Sequence, residues 1–174
     1  SDYRFKVETK VDSAGREEVD GKARKAKDSH VAVDLVRPKR GHVDIDGAAF
    51  FPSEHLLRII AAARAGESLF EARVYDGTGE GDKAFDTLTV IGKPIATPAP
   101  EKAAQSEGLQ DMKRWRMAVS YFEPGKRDGQ PIYVLSFDLY ENGVSRALSL
   151  DYGDFVLKGE MKELTLQPSA NCKK

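Results

Sequence analysis

From the first residues the chain alternates with a period of two. Tyr3, Phe5, Val7, Thr9 and Val11 stand against Arg4, Lys6, Glu8 and Lys10, the pattern of a strand with two unlike faces. Asp12-Ser13-Ala14-Gly15 reads as a turn. Glu17 to Lys27 reads as a Lys-rich strand whose apolar anchors are Val19 and Ala23; such charge suits a sheet edge, where it discourages pairing with other chains. Val31, Val33 and Leu35 alternate with Ala32, Asp34 and Val36, Pro38 ends that strand, and Gly41 to Ile45 forms a short one.

The period then changes. Leu56, Leu57, Ile59, Ile60 and Ala63 recur at helical spacing. Ser53 is placed to cap a helix starting at Glu54, and Gly66 follows Ala65 where a left-handed terminating residue is wanted. The expected helix covers 54–65. Its apolar face is wide, which predicts that it lies in a groove.

Two strands follow, Leu69–Tyr75 and Ala84–Ile91, joined by the glycine-rich loop 76–82. Residues 93–110 hold Pro94, Pro98 and Pro100 among Ala, Gln, Ser and Glu, and read as an exposed loop. Trp115, Met117, Val119 and Tyr121 share one strand face; Tyr133, Leu135, Phe137 and Leu139 share the next. Asn142-Gly143 predicts a tight hairpin with positive φ at both residues. Val144, Arg146, Leu148, Leu150 and Tyr152 return on one parity. Phe155, Leu157, Gly159 and Met161 alternate before Leu164 and Leu166 change parity, which predicts a bulge near Lys162–Glu163. The sum is about nine strands and one helix: a mostly β, antiparallel meander curved as a half-open barrel around the helix, in a single domain over 1–174.

The 174 residues carry 27 Lys and Arg against 28 Asp and Glu, a net charge of −1. Nucleic-acid binding needs a surplus of cations, and the basic stretches Lys22–Lys27 and Arg37–Arg40 are interrupted by acids or Pro. No apolar run approaches the roughly 20 residues of a membrane-spanning helix. The chain starts in a strand with no initiator Met and no signal peptide, which reads as either a processed mature chain or, the better reading, a fragment of something longer.

Candidate chemistry is sparse. His42, Asp44 and Asp46 share one face of an extended segment, but successive side chains there lie ~6.5–7 Å apart, wider than a shared metal shell without a kink; a solvated strand face is the simpler reading. The 76–82 loop has the glycines of a phosphate cradle and, in Asp76, Glu80 and Asp82, the acids of a calcium loop. It lacks the Lys-Ser/Thr of the first and the acidic ladder of the second, and reads as a hairpin tip. Asp151 and Asp154 fit a turn. No nucleophile motif accompanies His30, His42 or His55. The expectation is no enzyme, no cofactor and no metal, with a hydrolase kept as a minor third class. Arg114-Trp115-Arg116 puts two cations on one face and the indole on the other. Cys172, the single cysteine, is a free thiol or half of a disulfide whose partner lies outside this chain.

Several segments together resemble a known family. They are Phe51-Pro52-Ser53-Glu54-His55, Ala61-Ala62-Ala63-Arg64-Ala65-Gly66, Val74-Tyr75-Asp76-Gly77, Asp86-Thr87-Leu88-Thr89-Val90-Ile91-Gly92, Tyr140-Glu141-Asn142-Gly143-Val144-Ser145 and Leu150-Asp151-Tyr152-Gly153-Asp154-Phe155. Their order and spacing are similar to the EipB family of alphaproteobacterial cell-envelope integrity proteins, long filed as a domain of unknown function. The resemblance implies an exported, periplasmic protein with a β-spiral wound around a central helix and no known enzymatic activity. It implies action together with a periplasmic tetratricopeptide-repeat protein, a chain that is the C-terminal two-thirds of a longer mature protein, and a disulfide between an N-terminal cysteine, absent here, and one at the position of Cys172. Two functions follow as expectations. The first is a non-enzymatic envelope protein that works by binding other proteins. The alternative is a carrier or sensor of an apolar ligand, a lipid or acyl chain, in a cleft lined by Leu56, Leu57, Ile60, Trp115, Tyr121, Tyr133 and Phe137.

Overall fold

The computed structural model describes residues 2–11, 15–25, 30–37, 40–45, 47–78, 82–95 and 112–159. It contains ten strands and one helix among them. β1 (Asp2–Val11), β2 (Gly15–Lys25), β3 (Val31–Arg37) and β4 (Gly41–Ile45) form a four-stranded antiparallel meander. After α1 (Pro52–Ala65) come β5 (Leu69–Val74), β6 (Phe85–Ile95), β7 (Arg114–Phe122), β8 (Tyr133–Tyr140), β9 (Ser145–Asp151) and β10 (Val156–Gly159), a six-stranded antiparallel meander. The mostly β, half-open architecture expected from the pattern is present, divided into two sheets. The division has a local cause. The chain between β4 and β5 is spent on the helix, so those strands do not pair. One parallel bridge, Phe50 to Val74, stitches the seam: Phe50 N–H donates to the Arg73 carbonyl at 2.8 Å, and Tyr75 N–H donates to the Phe50 carbonyl at 2.9 Å.

The helix begins two residues before the expected Glu54, and Ser53 is not its cap. Pro52 occupies the first turn, where its missing N–H costs nothing and its fixed φ fits. The Glu54 carboxylate reaches back to accept from Phe51 N–H at 3.0 Å. At the other end Gly66 adopts φ 82°, its N–H donating to Ala63 and the Glu67 N–H to Ala62, both at 3.1 Å, a Schellman termination. The apolar face of α1 lies on the concave side of the six-stranded sheet. Ile59, Ile60, Ala62 and Ala63 pack with Val74 and Phe85, with Trp115, Met117 and Val119 of β7, and with Phe137 and Leu139 of β8. The β8–β9 turn also grips the helix: Arg64 Nη2 donates to the Glu141 carbonyl at 3.0 Å.

That turn corrects one expectation. Gly143 has φ 88°, but Asn142 does not have positive φ. Gly143 N–H donates to Tyr140 and Tyr140 N–H to Val144, both at 2.9 Å, the pattern of a type I turn followed by a left-handed residue. A second correction lies in β9. Ser136 pairs with Ser149 and Asp138 with Arg146, so Phe137 faces both Ala147 and Leu148. Ala147 takes φ 54°, the sole positive φ outside glycine among the described residues. The bulge switches parity: Arg146 faces Asp138 on the outer side, while Leu150 pairs with the inward Leu135. A second bulge sets Gly92 and Lys93 against Arg116, so β6 runs on through Pro94 to Ile95, inside the stretch expected to be a loop. The rest of that loop, the expected bulge at 162–163 and Cys172 lie outside the described residues.

The four-stranded sheet builds a second core. Phe5, Val19, Val31, Val33 and Ile45 close over Phe51, Tyr75 and Ala84. Phe5 is held by glycines on both sides. A Cβ on Gly21 would stand 2.6 Å from its ring and 2.9 Å from the Asp34 carbonyl; one on Gly77, itself at φ 79°, would enter the ring. Two substitutions should therefore act in opposite directions. Gly77→Ala adds an overlap and a left-handed strain and should lower unfolding stability by about 2–4 kcal/mol. Ala147→Gly relieves a left-handed alanine and should raise stability by up to about 1 kcal/mol. Urea unfolding of both variants checks the signs; a neutral Gly77→Ala would contradict the clamp.

Candidate functional site

The concave sheet and the helix do not meet along their whole length. Between them lies a cleft of about 200 Å³. The helix supplies Pro52, His55, Leu56 and Ile59; β7 supplies Val119 and Tyr121; β8 supplies Leu135 and Phe137; β9 supplies Ser145 and Leu148. Spacing places them. His55 and Ile59 are one helical turn apart, and Val119/Tyr121 and Leu135/Phe137 are inward steps on neighbouring strands in register, Val119 opposite Leu135. Leu148 reaches the cleft because the Ala147 bulge turns it inward.

The polar atoms of the cleft carry no charge near neutral pH. His55 is 4% exposed, and burial drives its pKa down to about 4. Thr87 Oγ1 lies 3.2 Å from the Ala72 carbonyl and 3.4 Å from His55 Nε2, so the hydroxyl serves both the backbone and the imidazole. The ring also stacks on Phe70 with centroids 6.0 Å apart. Burial, reinforced by the charge of Asp76, pushes the Tyr121 hydroxyl up to about 12.

Of the seven residues expected to line a cleft, the structure brings Leu56, Tyr121 and Phe137 to it. Ile60 and Trp115 are buried in the packed part of the same core. Tyr133 stacks on Tyr121 at 4.4 Å and on toward Tyr152 at 5.5 Å, and its hydroxyl is raised by burial and then by Asp76. Leu57 is corrected outright. It is 65% exposed and faces the other flank of the helix, because it falls one position beyond the buried stripe of 55, 59 and 62. There it borders an open furrow of about 340 Å³ with Lys25, Phe50, Glu54 and Arg58. The furrow's charges partner one another: Lys25 and Glu54 pair at 2.8 Å, and Lys25 and Arg58 lie 5.2 and 5.7 Å from the Phe50 ring centre. The apolar cleft is the better candidate site. The sequence reading leaves His55 off the apolar face, and its one-turn spacing to Ile59 is the signal that could have placed it; Ser145 and Leu148 carry no such signal, because nothing local announces a bulge at an alanine.

The remaining candidates resolve into structure. Asp34 and Asp44 flank His42 at 2.8 and 3.2 Å, one on each ring nitrogen, an arrangement that suits the doubly protonated imidazolium. Asp46 lies outside the described residues. Among the described residues no group of three or more His, Cys, Asp or Glu is arranged to hold a metal ion. Asp76 accepts from Thr78 N–H and Oγ1 at 2.9 and 2.7 Å as a turn residue. Asp151 accepts from Gly153 N–H at 2.8 Å in the β9–β10 turn. Arg114 and Arg116 stand outside Trp115 and share Asp138 at 3.4 and 3.2 Å.

The two histidines should titrate in opposite directions. The carboxylates raise the His42 pKa, the Asp34 hydrogen bond foremost. Its stabilisation is complete below the unfolded value, about 6.5, and is lost as pH rises through the folded value. His55 is depressed, so its contribution is present above about 6.5 and is lost as pH falls toward 4. Histidine-ring NMR from pH 3 to 9 should show His55 titrating far below His42; coincident titration near 6.5 would contradict both environments.

Comparison with known proteins agrees with the fold. The family model described as EipB-like matches residues 1–168. The chain is 34% identical over 173 residues to the cell envelope integrity protein EipB of Brucella abortus (strain 2308), covering 99% of this chain and 61% of that protein. A crystal structure of a beta-barrel-like protein of domain of unknown function DUF1849 from Brucella abortus superposes with a TM-score of 0.80 at 31% identity, over 91% of this chain and 65% of that one. The chain thus spans somewhat less than two-thirds of the relatives it matches, and among its described residues no helix is long and apolar enough to cross a membrane. This chain belongs to the EipB-like family.

Proposed function

We propose that this chain works in the periplasm as a non-catalytic binding protein that supports cell-envelope integrity by engaging another protein. The envelope role is what the name of the Brucella relative says of that protein; the candidate partner is the periplasmic tetratricopeptide-repeat protein implied by the family resemblance. The observation that carries a binding role is the outer end of the six-stranded sheet. Among the described residues β10 is its last strand, and Tyr152, Phe155, Val156 and Leu157 expose 40–54% of their surface there. Exposed apolar side chains at the end of a sheet are a ready surface for association. The site chemistry favours binding over reaction: His55 is neutral, and a threonine hydroxyl lies within hydrogen-bond reach of its ring. Affinity capture from a periplasmic extract tests the reading. The chain should retain the repeat protein, and the double variant Phe155→Ser, Leu157→Lys should retain at least tenfold less while keeping the same circular dichroism. Equal capture by both, or none by the folded chain, would contradict it.

The cleft favours a second reading, a carrier or sensor of an apolar ligand. Its volume of about 200 Å³ is more than tenfold the room a single water needs, roughly 10–15 Å³, and its walls are mostly Leu, Ile, Val and Phe.

A further inference from the structure

The cleft has a size, a gradient of exposure and a charge state, and together these restrict what it can hold. An apolar cavity of roughly 150 Å³ takes up benzene; by that scale about 200 Å³ holds about eight carbons. A whole lipid does not fit, and one end of a single chain does. The depth is graded. Ile59, Val119 and Phe137 form a floor that is 1–6% exposed, while Leu148 on β9 is 40% exposed, and Ser145 beside it is also open to solvent. An occupant enters from the β9 side and stops under the first turns of α1. No charged side chain lines the cleft, so an ionic group drawn inside would lose its hydration without gaining a counter-charge. His55 and Tyr121, both neutral at physiological pH, change nothing in that balance.

We infer that this cleft is a binding site for the uncharged end of one unbranched aliphatic chain, about eight carbons deep, with the chain's polar head held outside at the rim formed by Ser145 and Leu148. The inference rests on the second reading above and narrows it to a ligand class. It separates the cleft from the sheet edge proposed for protein contact, so a chain end and a protein partner occupy different surfaces.

Titration of the full chain with 1-butanol, 1-hexanol, 1-octanol and 1-dodecanol, followed by methyl NMR, tests it. The methyls of Leu56, Ile59, Val119, Leu135 and Leu148 should shift. Affinity should rise about fourfold per added methylene up to 1-octanol and then level off. 1,8-Diaminooctane, charged at both ends, should bind at least tenfold more weakly than 1-octanol. Leu148→Trp, at the half-open rim, should weaken 1-octanol binding at least tenfold, and Leu57→Gln, on the far flank of the helix, should leave it unchanged. A continuing gain to 1-dodecanol, equal binding of the diamine, or undiminished binding by a folded Leu148→Trp variant would overturn the ligand class while leaving the cleft as a site. Absence of shifts at all five methyls with every alcohol would overturn both this inference and the second reading.

Discussion

The apolar stripe of one 14-residue helix laid on the inner face of a curved sheet is the contact on which the rest of this structure depends. A six-stranded antiparallel sheet with one face full of Trp, Met, Val, Tyr, Phe and Leu cannot leave that face in water. The helix is the element that covers it. Ile59 and Ile60 are almost wholly buried there, and each side chain so placed contributes about 1.5–3 kcal/mol. The chain has no second helix among the described residues to share this task. Both helix ends are accordingly fixed, by Pro52 and Glu54 at one and by the Gly66 termination and the Arg64–Glu141 contact at the other.

The same contact creates the cleft. A helix is straight over 14 residues, while a sheet twists and, where it bulges, bends. The two surfaces fit along Ile60, Ala63, Trp115 and Met117 and part toward the N-terminal turns, where Leu56 and Ile59 face β8 and β9 across open space. The Ala147 bulge decides what stands on the far wall, since it turns Leu148 inward and Arg146 outward. The walls are apolar because they are the unfilled continuation of the core, which explains why the one buried histidine is neutral. Polar pairing is kept on the outer faces, as at Asp138 with its two arginines.

Much of this was legible in the residues. Alternation located the strands, the change of period located α1, and the inward run Trp115–Met117–Val119–Tyr121 is the floor of the core. What escaped was set by tertiary geometry. Leu57 is as greasy as Leu56, and only the direction of the stripe decides that it faces solvent. The bulges at Gly92 and Ala147 shift parity without a turn residue in advance; at Gly92 the reason is close approach, since a Cβ would stand 3.0 Å from the Arg116 carbonyl. The seam between the sheets was hidden because nothing near Ile45 or Leu69 records that those strands lie apart. The binding chemistry was the least visible part, because a cleft is a mismatch between surfaces and belongs to no single segment.

If the helix is the lid on which the sheet depends, the two must open together. Native-state hydrogen exchange read amide by amide under rising denaturant measures this directly. The central amides of α1 should share one opening free energy with those of β6, β7 and β8, equal to that of global unfolding. Amides of α1 that exchange through a separate opening several kcal/mol lower, while the sheet stays protected, would show that the sheet stands without its helix and would contradict the account.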